Sequence, residues 1–194
     1  MRAFHRAYAN KPHSDWARIP PREWDLYHDL YSDRRSKWDS VPAAVLAHKL
    51  ITGFLNEASP ATPVQSAGAS NDGVKIASFG CGRDMLFEHA LVDEAKLRAV
   101  GHITVDAIDV HTAVWTTDEA KSTVNVRVHR ANFCSTAALK KLLLPGEDSA
   151  QRWGDYDFVV ICLALMSQDS FLHAVMSAVH LLKPTGKILV AEVC

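Results

Sequence analysis

Gly80 and Gly82 flank Cys81 where a short apolar run, Lys75–Phe79, gives way to a helix-like segment carrying Met85, Leu86, Ala90 and Leu91. Two glycines at a strand-to-helix turn let backbone N–H groups approach a ligand with no Cβ in the way. A nucleotide-like cofactor suits such a turn. Asp109 closes the next apolar run, Ile103–Val110, where its carboxylate can accept hydrogen bonds from both hydroxyls of a ribose. The stretch Arg130–Phe133 ends the third run, so Asn132 and Phe133 fall beside the adenine of such a ligand, with the Asn132 amide available to it. Aspartate and asparagine also favour turns in their own right, and that plainer reading stands beside the functional one at both positions. A dinucleotide site of the G-x-G-x-x-G type needs a third glycine at position 85, which is Met85. No acid or histidine is placed for hydride transfer, so a nicotinamide dehydrogenase is the weakest reading.

The elements that must hold these residues follow from the spacing of apolar side chains. Strands are expected at Lys75–Phe79, Ile103–Val110, Val124–Val128, Asp157–Leu165 and Gly186–Val193. Helices are expected between them at 84–99, Ala137–Leu144 and Phe171–Leu182, with Lys183-Pro184-Thr185-Gly186 as a stop and turn. Near-continuous apolar strands separated by helices predict an α/β fold with a doubly wound, mostly parallel sheet, its ligand beyond the carboxyl ends of the strands. Two helices precede it. Pro21 to about Asp33 places Trp24, Tyr27, His28 and Tyr31 at i, i+3, i+4 and i+7, one aromatic face that can close over a cofactor, stack on a base or simply pack. Pro42–Leu55 is the second. Residues 58–73 are small, polar and rich in breakers, which divides the chain into an N-terminal helical cap (1–57), a linker or loop (58–73) and a core (74–194).

Composition narrows the class. A net charge of −1 gives no overall pull toward nucleic acid, and eight Lys/Arg against five Asp/Glu in residues 1–37 suit a solvated surface as well as a phosphate-facing patch. No apolar run approaches the ~20 residues of a membrane span. The four cysteines, Cys81, Cys134, Cys162 and Cys194, lack ligand or disulfide spacing and read as reduced thiols of an intracellular protein without a metal. His173 and His180 are seven apart and read as surface residues, not ligands. The first 14 residues are acid-free and contain arginine, as in a mitochondrial presequence, but Pro12 and the missing apolar face argue against one.

The passage from Asp157 through Gly186 to Val193 resembles the class I S-adenosylmethionine-dependent methyltransferases, in which a Leu-Lys-Pro-Gly-Gly turn precedes the fifth strand. More narrowly, Cys162-Leu163-Ala164-Leu165-Met166-Ser167-Gln168-Asp169 and Ala191-Glu192-Val193 are similar to the ribosomal RNA-processing protein 8 (nucleomethylin) family. That family has Cys-Leu-Ser-Leu-Met-Gly-Thr-Asn and Ala-Glu-Val there. Trp24–Tyr31, then Lys37-Trp38 and Pro42, are similar to its N-terminal signature, so the resemblance spans about residues 21–56 and 74–194.

The resemblance implies a Rossmann-like methyltransferase fold that here lacks the C-terminal helix and strand pair. It also implies methyl transfer from S-adenosyl-L-methionine to N1 of an adenine in large-subunit ribosomal RNA, in the nucleus and nucleolus; a cytoplasmic or mitochondrial location stays open. Cofactor contacts would come from Ser78, Gly80, Cys81, Gly82, Asp109, Val110, Asn132, Phe133, Cys162, Leu163 and His28, and the substrate base would meet Leu165, Met166, Ser167, Gln168 and Asp169. Ser78 stands where the family has the Asp that helps hold the methionine ammonium, Asp84 replaces a small residue, and Asn132 stands near an adenine-side acid. An adenine N1 lone pair attacking a sulfonium methyl needs positioning and dryness more than a general base, and none is assigned. Two alternatives remain: a non-catalytic nucleolar or chromatin binding module, and a class I methyltransferase acting on a small molecule or protein. The last strand, ending near Cys194, leaves an apolar edge, as expected either of a C-terminally truncated core or of one whose edge a protein partner or the N-terminal segment covers.

Overall fold

A computed structural model describes residues 7–8, 11–35, 38, 40–57, 73–98, 102–111, 115, 123–143, 154–162, 164 and 170–191. In chain order these form α1 (His13–Trp16), α2 (Pro21–Arg35), α3 (Pro42–Glu57), β1 (Val74–Phe79), α4 (Leu86–Arg98), β2 (Ile103–Asp109), β3 (Val124–Arg130), α5 (Thr136–Leu143), β4 (Tyr156–Cys162), α6 (Ser170–Leu181) and β5 (Leu182–Ala191). The strands make one five-stranded sheet in the order β3-β2-β1-β4-β5. All four pairings are parallel. The chain therefore winds outward from β1 to one edge, returns, and winds to the other, and the reversal lies between β1 and β4. In such sheets a crevice opens at that reversal, beyond the strand carboxyl ends.

Alternation along the strands divides the interior into two layers. Val74 and Ile76 of β1 and Val105 and Ala107 of β2 face Leu46, Leu50 and Ile51 of α3 and Leu91, Val92 and Ala95 of α4. Ala77 and Phe79 of β1 and Ile108 of β2 face the other way, onto Leu139 of α5 and Ala174, Ala178 and Leu181 of α6. With a layer on each face, β1 and β2 are almost wholly buried. A third cluster (Trp16, Ile19, Trp24, Tyr27 and Val110) seats α1 and α2 on the end of β2. No helix among the described residues is long and apolar enough to cross a membrane.

Most elements shift by one to three residues at an end from the sequence expectation, and two of the shifts have a clear physical reason. The helix expected from 84 begins at Leu86, because the chain from Gly82 to Met85 is still turning, with φ +62° at Gly82 and +42° at Met85. Lys183–Gly186 does not separate helix from strand: α6 ends at Leu181 and β5 starts at Leu182. The pairing jumps from Tyr156–Leu182 to Phe158–Lys187, so those four residues form an irregularity inside the strand. A proline that cannot donate to the ladder and a glycine with no side chain fit that interruption.

Candidate functional site

Past the carboxyl ends of β1 and β2 lies a cleft that opens to solvent on one side. Its floor is the turn Gly80, Cys81, Gly82 with Ser78, Asp109, Val110, Phe133, Cys162 and Ala164; its far wall is Asp84, Leu86, Phe87 and Glu88 from the start of α4. Its roof is Trp16 with Trp24, Tyr27, His28, Tyr31 and Arg35 of α2. The aromatic stripe thus packs and encloses at once. Trp24 is stacked on His111 with ring centroids 4.2 Å apart, and His28 meets Trp24 edge-on at 4.6 Å.

The turn does not offer its amides as the sequence suggested. The Gly80 N–H donates to Ile108 O at 2.8 Å and the Gly82 N–H to Asp109 Oδ2 at 3.0 Å. Both glycines have positive φ, which curls the turn back onto β2. Their bare faces meet protein too: a Cβ on Gly80 would lie 2.2 Å from Ala164 Cβ, and one on Gly82 would lie 3.0 Å from His28 Cε1. Glycine is needed here so that the β4 loop and the roof can close on the turn.

Asp109 is buried and lines the cleft; Oδ2 accepts from Gly82 and Oδ1 from the His111 N–H at 2.9 Å. This pair of bonds fixes the orientation of the carboxylate. Asn132 behaves otherwise: it does not line the cleft, and its Oδ1 accepts the Cys134 N–H at 2.9 Å, as in an Asx turn. Phe133, beside it, reaches the floor and stacks on Phe79 at 5.3 Å. Leu163 and residues 165–169, the base-facing loop expected from the sequence, lie outside the described residues.

Charged side chains lock the roof to the turn. Asp84 accepts from Arg35 at 3.1 Å and from Arg83 at 3.2 Å, and Arg83 reaches Asp29 of α2 at 2.7 Å. Burial pushes the Asp84 carboxyl up, but the hydrogen bonds from Arg35 and Arg83 prevail and hold it below the usual range. Burial drives His28 down to about 4, Arg83, Arg35 and His111 adding to it against the pull of Asp84. At neutral pH its ring is uncharged, and its Nε2 has no hydrogen-bond partner among the described residues. The Cys81 thiol is pushed well up by burial and by Glu88 and Asp109, so it is no nucleophile at neutral pH.

Glu88, which sequence reasoning missed, is wholly buried in the far wall. Neither carboxyl oxygen has a hydrogen-bond partner among the described residues. Burial raises it to about 7; the nearby Ser78 hydroxyl and its own backbone N–H ease this without full hydrogen-bond geometry, and Asp109 adds to it. A signal for it was present: Glu88 shares the i, i+3, i+4, i+7 stripe of Leu91, Val92 and Ala95, where an acid interrupts an otherwise apolar face.

No protein-family model, curated protein or solved structure matches this chain.

Proposed function

We propose that the chain is an S-adenosylmethionine-dependent methyltransferase, with N1 of an adenine in large-subunit ribosomal RNA as the acceptor. The observation that carries the reading is the cleft at the sheet's reversal point. It joins an anchored acid at the end of β2, the Gly-Cys-Gly turn and an aromatic roof in one enclosure. Asp109 would accept from the ribose hydroxyls. The residues suit a cation: aromatic faces attract one, Asp84 pairs with the one lining arginine, Arg35, and a neutral His28 adds no repelling charge. When bound, the cofactor supplies an electrophilic methyl group on sulfur. The chain's own share is to hold the ligand's sugar and keep water out beneath α2. The acceptor rests on the resemblance carried by Cys162–Asp169 and Ala191–Val193.

Calorimetric titration with S-adenosylhomocysteine tests the cofactor reading. Saturable binding with a raised melting temperature is expected; neither heat nor thermal shift at millimolar ligand overturns it in favour of a non-catalytic module. Mapping N1-methyladenosine in ribosomal RNA after loss of the gene tests the acceptor, since an unchanged map moves the substrate to another class.

A further inference from the structure

A carboxylate with no partner belongs in a protein interior only when something else completes it. Glu88 is fully buried, and its neighbours in the cleft are the Ser78 hydroxyl, the Cys81 thiol and the Asp109 carboxylate, none of them a cation. No Lys, Arg or His pairs with it among the described residues. What an unpartnered carboxylate accepts is N–H groups carrying positive charge. A sulfonium can balance the charge but donates no hydrogen bond, whereas a primary ammonium does both.

The position sharpens the argument. Ser78 is buried at the end of β1 and lines the same cleft. Glu88 enters from the first turn of α4 and ends beside that serine. We propose that Glu88 is the residue that binds the primary ammonium of the ligand's amino-acid portion. The assignment rests on the cofactor reading above and places the amino-acid end of the ligand at the α4 wall, away from Asp109's sugar end.

The test compares two nucleosides that differ in that portion: S-adenosylhomocysteine, which has the ammonium, and 5′-methylthioadenosine, which does not. Wild type should bind the first at least tenfold more tightly. Glu88→Gln keeps the shape, and circular dichroism with thermal melting reports whether it folds. It should weaken S-adenosylhomocysteine by about 10- to 100-fold, the range of a charged hydrogen-bonded pair, and leave methylthioadenosine within twofold. Equal wild-type affinities for the two nucleosides overturn the assignment, as does an equal loss, or no loss, for both in Glu88→Gln; the cofactor reading survives all of these. Wild type binding neither nucleoside at millimolar concentration removes the cofactor reading and this assignment with it.

Discussion

Asp106 and Glu88 are both buried carboxylates of the same sheet system, and they are treated in opposite ways. Asp106 is met by Arg127 at 2.6 Å, His129 at 2.6 Å and the Tyr156 hydroxyl at 2.7 Å. Burial pushes it up, yet the three donors prevail and hold it below the usual range. Tyr156 achieves this from β4 by reaching across β1 to β2, where Ala77 is the register partner of Asp106 and is small enough to pass beneath. Glu88, on the other face, has no donor and is raised to about 7. An acid completed by the protein holds strands together; one left incomplete beside a cleft is suited to a ligand.

The largest effect that would sharpen this contrast is expected at Asp106. Asp106→Ala strands the buried Tyr156 hydroxyl and the His129 ring, and should lower stability by about 3 kcal/mol in urea denaturation. A loss below about 1 kcal/mol would show that the three donors are not needed. Glu88→Gln should act in the other direction. With its folded value near 7 and the ordinary value 4.5, the folded carboxyl holds its proton longer than the unfolded one. Stability is therefore unpenalised below pH 4.5, falls between 4.5 and 7, and stays low above 7. The ligand-free variant should gain about 1–2 kcal/mol at pH 8, discounted from the full linkage of roughly 3 because a buried amide also wants partners. The gain should vanish at pH 4; a gain that persists there would mean that shape, not charge, is at issue. The smallest effect is Ser78→Ala. Removing the hydroxyl that eases Glu88 should move its titration, followed by carboxyl-carbon NMR, further upward, while stability changes by under about 1 kcal/mol. An unmoved titration would separate the two residues.

The sheet was readable because its central strands are buried on both faces, which leaves unbroken apolar runs such as Val159–Ile161 that need no tertiary knowledge to find. The aromatic face of α2 was readable for the same reason: a period of 3.6 is visible in one dimension. What the sequence could not convey is where a polar group's hydrogen bonds go. Gly80 and Gly82 mark a tight turn in any reading, but only the fold reveals that their amides point to Ile108 and Asp109. Asn132 likewise looked as suitable for a base as for a turn until Cys134 was seen to occupy its oxygen. Glu88 sits where an acid is expected for a mundane reason, the positive end of a helix, and that hides its inward aim. Lys183–Gly186 looked like punctuation because proline and glycine interrupt strands and end helices with the same residues.

The roof over the cleft is translated long before its floor. Trp16 lends its carbonyl to His111, 95 positions later, and Asp29 and Arg35 wait 54 and 49 positions for Arg83 and Asp84. Closing loops of that size is entropically costly before any contact rewards it. Trp24 and Tyr27 must therefore leave the ribosome with their rings unburied and stay so until the end of β2 emerges. A nascent chain has no pocket to fill until its first helix has something to land on, so ligand cannot assist the earliest stages of folding.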